Sequence, residues 1–187
     1  MTILHIDSSI NGEDSASRTL SRSIVDQVKG AQWGEEVVYR DLAADPLPHL
    51  TLDAFADSSV LDEFFAADTI IVGAPMYNFS LPSQLKAWID RLMIAGKTFR
   101  YTENGPEGMA RGKKAIVVSA RGGMYGAGSP AASLDFQENY LRGVFGFLGI
   151  TDIEFVRAEG LAHGPAQRDQ AMSAALGAID GDLPLAA

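Results

Sequence analysis

The sequence predicts an open α/β fold, a parallel five-stranded sheet in the order 2-1-3-4-5 with helices on both faces. Three observations lead there. Short apolar runs alternate with amphipathic segments along the chain, as successive βαβ units require. The runs near residues 2–7, 68–72 and 114–119 are dominated by apolar residues and read as buried strands. Right-handed crossovers then place strands one, three and four side by side at the centre. No repeat, linker or low-complexity segment interrupts the pattern, so residues 1–187 read as a single domain.

The first strand, residues 2 to 7, ends at Asp7. A polar loop from Ser8 to Ser17 follows, and then a helix from about Ser17 to Lys29 with Leu20, Ile24, Val25 and Val28 on one face. Glu36 to Arg40 is the second strand, and Asp41 to Leu50, with Pro46 and Pro48, is an irregular connector. Leu52 to Ala67 reads as one helix with Phe55, Leu61, Phe64 and Phe65 turned inward. Asp68 to Val72 is the third strand, leading into the loop Gly73 to Pro82. Pro82 suits the first turn of the next helix, where Leu85, Trp88, Ile89 and Leu92 share a face and the end falls near Ala95. Alternating Phe99 and Tyr101 before Asn104-Gly105 predict a short extended excursion with a turn, inserted over the sheet. Lys114 to Ser119 is the fourth strand, and it discharges into Ala120-Arg121-Gly122-Gly123-Met124-Tyr125-Gly126. A helix over 134–148 stops at Gly149, and Asp152 to Ala158 is the fifth strand. A loop from Glu159 to Pro165 leads to a last helix reaching Ile179, followed by a loose tail rich in Gly, Pro and Ala.

Composition narrows the chemistry. A formal net charge of −9 disfavours a nucleic-acid partner, which needs a basic face. Arg111, Lys113 and Lys114 do gather locally, and a solvated turn accounts for them. No apolar run approaches the roughly 20 residues that span a membrane, and the N-terminus shows no signal-peptide pattern, so a cytoplasmic protein is expected. Zero cysteines remove thiol nucleophiles and thiolate metal sites. His5, His49 and His163 lie far apart and outside any metal-ligand spacing, and His5 reads as a satisfied core residue. There is no G-x-S-x-G nucleophile elbow. With no metal and no catalytic side chain in view, chemistry beyond acid–base work falls to a cofactor.

The loops leaving strands one, three and four meet at one edge, where open α/β sheets bind ligands. In the first, Ser9, Ser15, Ala16 and Ser17 lead into a helix whose first N–H groups are unpaired, a cradle for an anion. Ser15 or Ser17 equally reads as a helix cap. In the second, Pro75, Met76, Tyr77, Asn78 and Phe79 offer flat apolar surface and polar edges, suited to a planar aromatic ligand or to packing on the sheet. In the third, Gly122 and Gly123 let backbone N–H groups approach a ligand closely. Neither the dinucleotide nor the P-loop glycine motif is present, since Gly112-Lys113-Lys114 precedes its strand.

Seven strings carry a further resemblance: Ser8-Ser9-Ile10 with Ser15-Ala16-Ser17, Pro75 to Phe79, Phe99 to Gly108, Arg121-Gly122-Gly123, and Phe147 to Asp152 with Ala158-Glu159-Gly160. The chain resembles the flavodoxin-like FMN-dependent NADH:quinone oxidoreductases of the azoreductase type. That resemblance implies FMN as cofactor, NADH or NADPH as donor, and quinones or azo compounds as acceptors in a ping-pong reaction carried by the flavin. It implies that Ser9 and Ser15–Ser17 hold the phosphate, that Met76 to Phe79 run beside the ring system, and that Ala120, Arg121, Gly122 and Gly123 meet its pyrimidine edge. Tyr125 stands where relatives often carry histidine, Ala120 where they carry serine, and Ala16 where they carry glutamine. It further implies a homodimer in which Tyr101 and Phe147 line the substrate face, Phe147 across the interface. A flavodoxin-like electron carrier without an organic substrate is the alternative from another class, and the Phe99–Gly108 insertion speaks against it.

Overall fold

The computed structural model describes residues 1–31 and 35–182. Its main sheet contains β1 (Thr2–Asp7), β2 (Glu36–Asp41), β3 (Thr69–Pro75), β6 (Lys114–Ala120) and β7 (Asp152–Ala158). All neighbours are parallel, in the order β2-β1-β3-β6-β7. This is the expected order, with the two strands of the excursion counted in between. Those two, β4 (Phe99–Thr102) and β5 (Gly105–Gly108), form a separate antiparallel hairpin. Its turn is Glu103-Asn104, because Gly105 already pairs with Thr102.

Strand alternation sorts the core into two clusters. Leu4, Ile6, Ile70, Val72, Ala115 and Val117 pack with residues of α2 (Ser59–Ala66), α3 (Ser83–Leu92) and α4 (Glu138–Leu148). The intervening Ile3, Ile71, Ile116 and Val118 pack with residues of α1 (Ala16–Ala31) and α5 (Pro165–Asp182). β3 and β6 are buried at every position, as their apolar runs require.

Several boundaries differ from expectation, each for a local reason. The segment 52–67 is not one helix: a 3-10 turn, Leu52–Ala56, is separated from α2 by an extended Asp57 that accepts the Ser59 N–H. Leu61 and Phe64 are buried as expected, whereas Phe55 and Phe65 are exposed. The segment 134–148 likewise divides, because Asp135 accepts the N–H groups of Gln137 and Glu138 and so starts α4 later. Pro82 precedes α3 as its cap, one residue ahead of the first turn, and the helix ends at Leu92, short of Ala95. α5 runs on to Asp182, past Ile179, and the rest of the loose tail lies outside the described residues. Lys114 is buried and 2.5 Å from Glu154, so it is no part of a solvated turn. His5 is buried with Nε2 3.0 Å from the Ser21 hydroxyl, a satisfied core histidine. No described helix is long and apolar enough to cross a membrane.

The hairpin docks on the end of α4 through glycine. Gly149, at φ 97°, closes that helix in the left-handed region. A Cβ on Gly108 would collide with the Leu148 carbonyl carbon and the Gly149 nitrogen. Gly108→Ala must therefore push the hairpin off the helix, and we expect a loss of about 1–3 kcal/mol in urea unfolding. An unchanged midpoint and slope would show that the two backbones are not held together this closely.

Candidate functional site

The loop after β1 is built to present donors. Ser8 Oγ donates to the Gly73 carbonyl at 2.8 Å and joins the first loop to β3. Ser15 caps α1: its Oγ accepts the Arg18 N–H at 3.3 Å and lies 3.1 Å from the Ser17 Oγ. The first helical turn, with Ala16 and Ser17, has no carbonyl one turn back to bond. Ser15, Ala16 and Ser17 are buried nonetheless, so these groups face a protected recess.

That recess is a cavity of about 180 Å³. Ser9, Ser15, Ala16 and Ser17 line it from the first loop, Pro75, Met76 and Tyr77 from the end of β3, and Ala120 and Gly122 from the end of β6. The three strand-end loops singled out in the sequence thus share one space. The Tyr77 hydroxyl ties two of them together, accepting the Ile10 N–H at 3.0 Å and lying 3.4 Å from the Ser9 Oγ. Sequence reasoning missed Asn11, Leu161, Ala162 and Arg168, which complete the lining. For Leu161 and Ala162 the sheet order held a signal, because β7 neighbours β6 and its loop must end beside Gly122. For Arg168 there was none, since its place depends on how α5 packs beside α1.

Other expected residues do not line this cavity. Asn78 lines an adjoining cavity of about 530 Å³ with Tyr77, Leu81, Gln84 and Tyr140. Phe79 and Tyr125 meet edge to face at 6.2 Å between centroids. Tyr101 and Phe147 are brought together through Phe99, at 5.6 and 4.7 Å, on the hairpin and α4, and they line neither cavity of their own chain. Tyr101 is 74% exposed.

The second loop is strained. Tyr77 and Ser80 exchange both backbone hydrogen bonds, at 2.9 and 3.0 Å, around Asn78 and Phe79. Both central residues have positive φ, 49° and 71°, the arrangement of a I′ hairpin turn. Asparagine accepts this region; phenylalanine does so at a cost.

Arg121 does not line the cavity. Its side chain is fully buried and turned to protein partners. It lies 2.9 Å from Asp135, 2.8 Å from Glu138 and 3.0 Å from Glu159, and donates to Gln137 at 3.1 Å. Its N–H donates to the Ala158 carbonyl and its own carbonyl accepts from Leu161. Its charge is met by three carboxylates of the protein itself. Gly122 and Gly123 differ: their carbonyls accept from Ala162 and Gly160, while their N–H groups have no protein acceptor among the described residues. Two adjacent free donors next to a serine-lined recess form a site for a ligand with one anionic end and one polar edge.

Arg18 is likewise committed. Its guanidinium grips Asp41 through two bonds of 2.7 Å and donates to the Ser9 carbonyl at 2.9 Å. That guanidinium holds the Asp41 carboxyl below its usual range, helped by the N–H groups of Ala44 and Ala43. Burial first, then the Asp7 and Asp41 carboxylates, push the neighbouring Tyr39 hydroxyl up to about 12. No group of three or more metal-ligating side chains occurs among the described residues.

A family model described as flavodoxin-like fold matches residues 1–183. An FMN-dependent NADH:quinone oxidoreductase from Rhizobium meliloti (strain 1021) is 58% identical, with 94% of this chain and 93% of the relative covered. One of the same description from Sinorhizobium fredii (strain NBRC 101917 / NGR234) is 56% identical, with 98% of each chain covered. Among solved structures, azoreductase from Bacillus anthracis str. Sterne superposes with a TM-score of 0.87 at 28% identity over 96% of each chain. An FMN-dependent NADH-azoreductase from Bacillus anthracis str. Ames Ancestor, in complex with FMN, gives 0.84 at 26% identity, covering 96% of this chain and 98% of that one.

Two predictions test this geometry. Phe79→Gly should raise the stability of the flavin-free chain by about 1 kcal/mol in chemical denaturation, because the strain leaves with an exposed ring. A clear destabilisation would mean that the Phe79 ring holds the loop in place. Asp41→Asn should lower stability at neutral pH. The lowered Asp41 pKa gives stability that is complete above its ordinary value of 3.8 and lost as pH falls through the native value below it. Denaturant midpoints of the two proteins should therefore converge toward pH 2, and a gap independent of pH would exclude the charge as its source.

Proposed function

The chain belongs to the flavodoxin-like fold family, and on that premise we propose that it is an FMN-dependent NADH:quinone oxidoreductase. The observation that carries the reading is the single cavity joining a serine-lined helix start to Gly122, whose N–H, like that of the adjacent Gly123, has no protein acceptor among the described residues. This donor set fits FMN. The hydroxyls of Ser9, Ser15 and Ser17 and the first-turn N–H groups of α1 take its phosphate. Ala16 contributes its backbone only, so the missing glutamine side chain costs nothing there. Pro75, Met76 and Tyr77 wall the flat ring, with Asn78, Phe79 and Tyr125 at its margin. The N–H groups of Gly122 and Gly123 serve the pyrimidine edge, where they stabilise negative charge as it develops. Ala120 supplies wall without a hydroxyl, and Arg121 acts from behind by fixing this loop.

Bound FMN supplies two-electron chemistry, accepting a hydride from NADH or NADPH and reducing a quinone, or an azo bond in two rounds to amines. The protein's part is to bind, orient and stabilise charge. Donor and acceptor use the same open face in turn, which makes the kinetics ping-pong. The working form in this reading is a homodimer, in which Tyr101 and Phe147, absent from the lining of the two cavities above, serve the substrate face of a second copy. The two core clusters support helices on both faces of the sheet, α1 and α5 on one and α2 to α4 on the other, as one domain. No helix among the described residues is long and apolar enough to cross a membrane, and with the acidic composition this suits the reading of a cytoplasmic protein that engages neither membrane nor nucleic acid.

Heat-released cofactor, identified by chromatography, should be FMN at one per chain. The loaded protein should then oxidise NADH with a small quinone as sole acceptor and give parallel double-reciprocal lines. FAD or no flavin would refute the cofactor assignment. FMN without NADH oxidation would leave an electron carrier in its place.

A further inference from the structure

We propose that Arg168, from the first turn of α5, supplies the fixed positive charge that holds the FMN phosphate. The inference rests on the FMN reading above and adds a group from an element no strand-end loop contains. A phosphate monoester brings close to two negative charges into a protein whose formal net charge is −9. Serine hydroxyls and helix N–H groups offer dipoles but no full charge. Arg18 follows that loop in α1, yet its charge is paired with Asp41 and both of its Nη atoms are bonded to protein, leaving only Nε without a partner.

Among the described residues Arg168 is the one charged residue lining the phosphate cavity. It is half-buried, and its Nη2 donates to the Asp14 carbonyl at 3.0 Å, which pins it beside the turn that leads into Ser15. A guanidinium carries five N–H donors in a rigid fork, so one bond to Asp14 leaves others for phosphate oxygens. Among the described residues Arg168 forms no ion pair with a carboxylate. Every other arginine near the site is so paired: Arg18 with Asp41, Arg121 with Asp135, Glu138 and Glu159, and Arg157 with Glu138. An unpaired arginine that lines a cavity of hydroxyls is placed for an anion.

FMN and riboflavin differ only by that phosphate, and comparing them isolates the charge. Both are titrated into the full chain stripped of flavin, as wild type, Arg168→Gln and Arg168→Lys. Glutamine keeps a donor for the Asp14 carbonyl while removing the charge. Arg168→Gln should weaken FMN binding about tenfold or more and leave riboflavin affinity within about twofold. Arg168→Lys should fall between, and the salt dependence of FMN binding should be shallower in the glutamine variant than in wild type. Unchanged FMN affinity in Arg168→Gln would overturn the proposal, as would an equal loss for both flavins, which marks a structural role. A wild type that binds neither flavin would bring down the FMN reading and this inference together. A wild type that prefers FMN, alongside a glutamine variant with the same preference, would bring down this one alone.

Discussion

A fully buried guanidinium must be neutralised from several directions, and at Arg121 that need organises half of the site. Its partners come from the start of α4 and the loop after β7, and Gln137 extends the set by donating to the Ala74 carbonyl in β3. Glu138 is shared with Arg157, while Glu159 also accepts the Tyr125 N–H. Three strand ends and one helix start are therefore tied through one side chain. Removing a partner from a buried ion pair costs about 3–5 kcal/mol, because the remaining charge has no water to turn to. The loop of Gly122 and Gly123 inherits its rigidity from this arrangement, with no side chain of its own to fix it.

A second knot does the same under the phosphate cradle. Asp7 accepts from the Ser21 and Tyr39 hydroxyls, Ser21 meets His5, and Arg18 bridges Asp41 to the Ser9 carbonyl. Gly73 is required beside it, since a Cβ there would run into the Asp7 carboxylate. Both knots use charge to fix backbone, and both leave the ligand-facing surface to hydroxyls and N–H groups. That division suits a protein whose reaction is carried by a cofactor. Groups that hold position are buried and paired, whereas the groups lining the cavity, Arg168 apart, are neutral and already oriented.

The sheet was legible because β1, β3 and β6 are buried runs whose identity depends on local composition alone. The three loops followed from the strand order. What escaped was set by contacts between distant segments. Arg121 has the look of a ligand residue beside two glycines, and only the fold brings Asp135, Glu138 and Glu159 around it. Arg168 has no pattern of its own, as α5 must first settle against α1. The break near Asp57 turned on a carboxylate that competes for helix N–H groups, a local effect that apolar periodicity outweighs on paper. Phe79 in the left-handed region follows from the pairing of Tyr77 with Ser80, which no propensity signals.

The cavity draws its first lining residue from Ser9 and its last from Arg168. During synthesis, then, nine-tenths of the chain must leave the ribosome before the pocket has all its walls. β7 stands at the edge of the sheet and α5 follows it in the chain, so the last wall of the cavity is also the last to be synthesised. A chain cut short before α5 would lack Arg168 and leave the cavity open on that side.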